Sequence, residues 1–368
     1  MNEETRDVFR ACLERLADGH DLSREEAAGS MSAIMEGEAT SAQIGAFLLG
    51  LRAKGETVDE ITGCAEAIRA RAQAVPHDYP ELLDTCGTGG DGAATFNIST
   101  TAAFVAAGAG QKVAKHGNRA ISSLTGSADV LEALGIEVDM AGPEAAGALD
   151  EVGMTFLFAP TFHSAMRHAG PPRRELGLRT VFNVLGPLCN PAGATAQIMG
   201  VFDGSLATTI ARVLGNLGVN RALVVHGSDG LDELTITGPS RISEWTGSEV
   251  REYTVEPEQF GLKRGTAESI RGADPATNAG ILRGVLEGEE GGAREIILLN
   301  AGAALVAAGA AAEIGEGVEQ ARKSIDSGAA RDRLDALLAY SQRLRDREGG
   351  KRVVEEKVNG GIPGWGQR

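Results

Sequence analysis

The chain has 368 residues, 42% of them apolar and only 4% aromatic, with 50 glycines. That length is enough for two domains and a substantial core, and many glycines signal many tight turns. A formal net charge of −16 and a sequence pI near 4.9 argue against nucleic acid or an anionic membrane surface as a partner.

Residues 1–75 read as helices only. Capping boxes stand at Ser23 with Glu26, Thr40 with Gln43, and Thr57 with Glu60, each ahead of an apolar periodic run. Ile44, Phe47, Leu48 and Leu51 share one face, as do Ile61, Ala65 and Ile68, so four short helices forming a small bundle are expected. The start of the chain, residues 1–6, is polar and acidic and does not read as a signal or transit peptide. No apolar run is long enough to span a membrane. Cys12, Cys64, Cys86 and Cys189 lack C-x-x-C or zinc-ligand spacing and read as buried hydrophobes of a reducing cytosol. A soluble, cytoplasmic protein is expected.

Residues 76–80 resemble a hinge, and from Glu81 the pattern alternates strand and helix, the signal for a mostly parallel sheet. Strands are expected at 82–85, 112–115, 155–158, 198–202 and 222–226, and a β-hairpin over 241–255 turning at Gly247. Ala-rich helices are expected near 277–287, 294–309, 316–326 and 329–345, followed by a loosely ordered tail over 345–368.

The first strand feeds Asp84-Thr85-Cys86-Gly87-Thr88-Gly89-Gly90-Asp91-Gly92, with four glycines in six positions, and then Thr95-Phe96-Asn97-Ile98-Ser99-Thr100 opens a helix. Glycine-rich backbone ahead of a helix N-terminus presents successive N–H groups to one point and suits an anion. Gly87, Gly89 and Gly92 formally match the dinucleotide fingerprint. That fingerprint expects a carboxylate roughly 20 positions on, whereas the next strand ends on Lys115-His116-Gly117-Asn118-Arg119. The P-loop pattern fails because no Gly-Lys-Ser/Thr follows. The second strand-end loop continues through Ile121-Ser122-Ser123-Leu124-Thr125-Gly126-Ser127, placing cations, hydroxyls and amides beside the glycine loop at the carboxyl end of the sheet.

Three further segments complete an ordered set. They are His163-Ser164-Ala165-Met166 through Arg173-Arg174-Glu175-Leu176-Gly177, then Phe182-Asn183-Val184-Leu185-Gly186-Pro187-Leu188-Cys189-Asn190-Pro191, and Val225-His226-Gly227 through Asp232-Glu233-Leu234-Thr235. Together the five segments closely resemble the anthranilate phosphoribosyltransferases, which join anthranilate to phosphoribosyl pyrophosphate (PRPP) in tryptophan biosynthesis. The resemblance covers about residues 10–340.

The resemblance implies an α/β fold: a small N-terminal helical domain plus a larger domain with a mostly parallel central sheet flanked by helices. Residues 1–76, with a returning segment near 165–190, would form the helical domain and mediate a homodimer; residues 77–344 would form the PRPP-binding domain. It implies that Gly87, Gly89, Gly90 and Asp91 contact PRPP, Asp91 through the ribose or a metal-linked network. Thr95, Asn97, Ile98, Ser99 and Thr100 would serve the pyrophosphate, Lys115 would act as a point charge, and Ser122, Ser123 and Ser127 would lie near the same ligand. Asn97 or Ser99 as an ordinary N-cap is compatible with those roles. Two Mg²⁺ ions per active site are implied, held by Ser99, Asp232 and Glu233. Anthranilate would meet Gly87, His116 and Asn118, with Arg173 holding its carboxylate and His116 positioning rather than acting as an essential base. Adjacent Arg174 is the rival for Arg173. No covalent nucleophile is implied.

Departures from the family pattern are Ala120 in place of Ser, Leu124 in place of a cation, and Pro171-Pro172 ahead of Arg173; they bear on affinity more than on reaction class. Pyrimidine nucleoside phosphorylases share the architecture but carry a Lys directly before the glycines, where this chain has Thr85-Cys86. A non-catalytic relative binding nucleotide or nucleic acid should lose the acidic pair or the anthranilate-side residues and gain a basic face.

Overall fold

The computed structural model describes residues 3–120 and 124–359, with side chains over 6–120 and 124–347. It opens with four helices, α1 (Glu3–Ala17), α2 (Arg24–Met35), α3 (Ser41–Lys54) and α4 (Val58–Arg69). All three capping boxes form: Ser23, Thr40 and Thr57 each accept from the backbone N–H three residues on, and Glu26, Gln43 and Glu60 reach back. Their apolar faces meet in a core of Phe9, Met31, Phe47, Leu48, Leu51, Cys64 and Ile68.

The remainder alternates β1 (Leu83–Gly87), α5 (Ile98–Gly108), β2 (Val113–Gly117), α6 (Ser127–Leu134), α7 (Gly142–Val152), β3 (Met154–Phe158) and the single-turn α8 (Ala159–Phe162). Helices α9 (Gly170–Leu176) and α10 (Phe182–Leu188) follow a 3₁₀ stretch over Ser164–Ala169. Then come β4 (Ala196–Gly200), α11 (Ala207–Asn216), β5 (Arg221–Gly227), the pair β6 (Ser240–Trp245) and β7 (Val250–Val255), and α12 (Pro275–Leu286), α13 (Gly292–Ala307), α14 (Ile314–Asp326) and α15 (Ala329–Asn359). The last helix thus continues past Arg345, where the sequence suggests a loose tail; residues 360–368 lie outside the described residues.

One seven-stranded sheet runs in the order β3-β2-β1-β4-β5-β6-β7. The first five strands are parallel, with Leu83 opposite Val113 and Ala196, and Lys115 opposite Phe156. The expected hairpin is present, Gly247 standing in its turn at φ +94°, but β6 also pairs antiparallel with β5 and extends the main sheet. Strand order reverses at β1, whose neighbours β2 and β4 lie on opposite sides. The carboxyl ends there form the crevice that open α/β sheets use for ligands.

Both faces of the parallel strands are covered, which is why they read as apolar runs. With side chains alternating along each strand, Leu83, Ile198, Leu223 and Val225 face a core built with α5, α7, α13 and α15. Met199, Ala222 and Val224 point the other way, to Leu214 of α11 and the helical-bundle core. Ala169, Val181, Phe182, Leu185 and Leu188 join that second core, so the 165–190 segment packs with the bundle.

Candidate active site

A cleft of about 250 Å³ opens at the carboxyl ends of β1 and β2. Its lining gathers Gly87, Gly89, Gly90, Asp91, Thr95, Asn97, Ile98, Ser99, Thr100, Lys115, His116, Asn118, Ser127, Asp232 and Glu233 from five separate stretches of sequence. Ser122 and Ser123 lie outside the described residues. Arg173 is not among the lining residues.

Close backbone approach assembles the acidic side. A Cβ on Gly87 would stand 2.4 Å from Asp232 Oδ2, and one on Gly200 only 1.4 Å from the Asp232 carbonyl oxygen. Bare strand ends let the 232–233 turn settle on β1 and β4. From there the Asp232 carboxylate accepts the Gly89 N–H at 2.7 Å. Burial, and next the Asp91 carboxylate, push Asp232 up to about 7. Glu233 is driven well above the usual carboxylate range by burial and then by Asp232. Clustered carboxylates held above their ordinary pKa mark a place short of positive charge.

The opposing side supplies donors. Helix α5 begins at Ile98 without a side-chain cap: the Asn97 amide instead donates to the Thr125 carbonyl at 3.1 Å and accepts from Asn278 at 3.1 Å. Asn97 is therefore no ordinary N-cap. It braces the two strand-end loops rather than capping the helix, whose Ile98 N–H donates to the Phe96 carbonyl at 2.8 Å and whose Ser99 N–H meets the Glu233 carboxylate. Lys115, 1% exposed, donates from Nζ to the Thr85 carbonyl and to Ser99 Oγ, the latter at 3.2 Å. Burial lowers its pKa, while Asp84 and the acidic residues of the cleft favour its charge.

Residues with no role in the sequence reading also appear. Asp84, fully buried on β1, accepts the His116 N–H at 3.0 Å, and burial raises its pKa. His116 and His163 lie with ring centroids 5.1 Å apart, tilted by 60°. Burial and then His163 depress His116 to about 3, so its imidazole is neutral at ordinary pH, with Nε2 buried and unpartnered. Arg119 lines the cleft and pairs with Glu132 at 2.5 Å and Asp129 at 3.3 Å. Arg179 donates to the Gly90 carbonyl. His163 and Arg179 fall within or just beyond quoted motifs, but their contacts are long-range and left no local signal.

Arg173 on α9 is half-buried with its guanidinium 4.7 Å over the Phe182 ring, whereas Arg174 is exposed. The two adjacent side chains face different surroundings, with Arg173 the inward one.

The donor set fits Mg²⁺. Among the described residues no group of three or more His, Cys, Asp and Glu side chains is arranged to cage a metal alone. A hard cation that keeps waters and shares phosphate oxygens needs only one or two protein carboxylates and a hydroxyl.

Residues 79–331 match the α/β-domain model of a glycosyl transferase family, and residues 10–72 match that family's helical-bundle domain. Curated relatives include the anthranilate phosphoribosyltransferase of Symbiobacterium thermophilum, 56% identical over 337 residues, covering 92% of this chain and 99% of the relative. The Moorella thermoacetica enzyme of the same name is 56% identical, over 90% and 98% of the two chains. Among solved structures, that of anthranilate phosphoribosyltransferase from Thermus thermophilus superposes with a TM-score of 0.86 at 44% identity, covering 90% and 99% of the chains. The Saccharomyces cerevisiae enzyme in complex with PRPP and Mg superposes at 0.84 with 28% identity, over 92% and 98%. A cleft that sets a helix N-terminus and a buried lysine against an acidic pair, on a fold and sequence this close to those enzymes, makes the chain a member of the anthranilate phosphoribosyltransferase family.

Proposed function

We infer that the protein transfers the phosphoribosyl group of PRPP to the amine of anthranilate, giving N-(5-phosphoribosyl)-anthranilate and pyrophosphate, in tryptophan biosynthesis. The observation that carries this reading is the convergence of the α5 N-terminus, Lys115 and the Asp232–Glu233 pair on one cleft beside Asn118 and His116.

Breaking the C1–O bond builds positive charge on the ribose ring and negative charge on pyrophosphate. The N–H groups of α5, with Thr95, Asn97, Ser99, Thr100 and Lys115, neutralise the leaving group; Gly87, Gly89, Gly90, Asp91 and Ser127 hold the rest of PRPP. Ser99, Asp232 and Glu233 would hold two Mg²⁺ ions, which supply charge neutralisation on the phosphates. Asn118 and Gly87 orient anthranilate, and Arg173 holds its carboxylate. The amine attacks C1 as the C–O bond breaks. The resulting N–H is acidic enough to lose its proton to solvent, so neutral His116 positions the aromatic amine rather than carrying the proton.

We read residues 1–76 with 165–190 as a helical unit and 77–344 as the PRPP-binding unit. The helical unit forms a homodimer, a reading supported by the exposed apolar side chains Val8 on α1 and Leu49 on α3. Buried free cysteines suit a reducing compartment, and no helix among the described residues is long and apolar enough to cross a membrane, so we place the enzyme in the cytoplasm.

Mixing the protein with anthranilate, PRPP and Mg²⁺ should extinguish anthranilate fluorescence as product forms. Stable fluorescence with folded protein would sink the reading.

A further inference from the structure

Arg179 lies in the turn between α9 and α10, and its side chain crosses to the glycine-rich loop. Its Nη2 donates to the Gly90 carbonyl at 2.5 Å, and the guanidinium stands 4.1 Å over the ring of Phe202. Phe202 anchors the same loop: its N–H donates to Thr88 Oγ1 at 2.9 Å, and the Thr88 N–H donates to the Gly200 carbonyl at 2.9 Å. The turn that presents Arg179 is itself fixed, because buried Thr180 donates its N–H to Asn183 Oδ1 at 2.9 Å and accepts the Asn183 N–H at 2.8 Å.

A trans peptide points its C=O and N–H in opposite directions, and the described chain has no cis bonds. Holding the Gly90 oxygen toward Arg179 therefore aims the N–H of Asp91 the other way. Gly90, on one side of this peptide, sits at φ +78° and has a glycine's freedom to let it rotate. Something must hold it.

We propose that Arg179 is a positioning residue that locks the Gly90–Asp91 peptide for the phosphoribosyl substrate and ties the glycine loop to the segment carrying Arg173. The proposal rests on the phosphoribosyl reading of the cleft. Stacking on Phe202 keeps the planar guanidinium in one orientation, which a lysine cannot reproduce.

Calorimetry of PRPP binding with Mg²⁺, steady-state kinetics and thermal unfolding on R179A, R179K, F202L and R179A/F202L test it. R179A should raise both the Kd and the KM for PRPP about tenfold, the scale of one lost charge-assisted hydrogen bond, with kcat changed less and unfolding temperature near wild type. R179K should recover only part of the loss. The double variant should be no worse than R179A, because the ring acts through the guanidinium. An unchanged Kd for PRPP in R179A, or additive losses in the double variant, would overturn the proposal. A wild type that binds PRPP without consuming anthranilate removes the anthranilate reading alone, and one that binds no PRPP removes both.

Discussion

The carboxylate of Asp232 accepts the backbone N–H of Gly89 at 2.7 Å. This bond joins the acidic turn after β5 to the glycine loop after β1, so the proposed cation and substrate sites share one connected piece of backbone. Filling either side of the cleft bears on the other.

Replacing both carboxylates, Asp232→Ala with Glu233→Ala, should abolish the Mg²⁺-dependent rate. The fold should survive, because the two half-buried side chains line the cleft and both carry pKa values raised by their setting, so losing them relieves an unfavourable charge. Activity titrated against Mg²⁺, with circular dichroism as the check on folding, decides it. Wild-type turnover in the double variant would move the metal site elsewhere.

Arg173→Ala should raise the anthranilate KM at least about tenfold, as expected for a lost charge-assisted contact, and leave PRPP binding nearly unchanged. Arg174, exposed on the same helix, should tolerate alanine. Kinetics on both variants separate them. If Arg174→Ala is the damaging change, the inward-facing arginine has been misassigned.

The native state keeps His116 neutral down to about pH 3, against an ordinary value of 6.5. Below about pH 6.5 the unfolded chain binds a proton that the native state refuses. His116 therefore withdraws stability as pH falls through that window and contributes no slope above it. In His116→Gln this part of the acid slope disappears, although His163, whose pKa burial also lowers, keeps its own. Thermal melts of the two proteins from about pH 7 to about pH 4 should diverge. Parallel curves would mean that His116 titrates normally.

Glu60, with no exposed surface, accepts from the Leu22 N–H at 2.9 Å, the Thr57 N–H at 2.8 Å and Lys54 Nζ at 2.9 Å. Glu60→Ala strands the Leu22 and Thr57 N–H groups and removes one partner of Lys54. Lys54 keeps Asp21 at 2.8 Å, so the loss should fall at about 3 kcal/mol, the low end for a broken buried pair. Chemical denaturation measures it; a loss below about 1 kcal/mol would place Glu60 among ordinary caps.

Where the physics is local, the sequence carried it. Ser23, Thr40 and Thr57 announce their helices because a cap and its partner lie three residues apart, and the strand-end glycines announce their turn by composition. Contacts across long separations left no such trace. Asn97 resembles an N-cap by position, yet Asn278 claims its side chain from far along the chain. The β6–β7 hairpin is legible from its turn, but its pairing with β5 is set by the sheet edge. The relatedness of five ordered motifs located the cleft, while the placing of Arg179 and His163 needed the fold.

Strand alternation has a consequence for modularity. Ile198 and Met199 are sequence neighbours serving different cores, as are Leu223 and Val224. The helical bundle thus takes part of its interior from strands that follow it by more than a hundred residues. Cut away at the hinge, it would present the apolar surfaces that meet Met199, Val224 and Leu214 to water. Grafting the bundle from a relative would succeed only if these strand positions and α11 travelled with it.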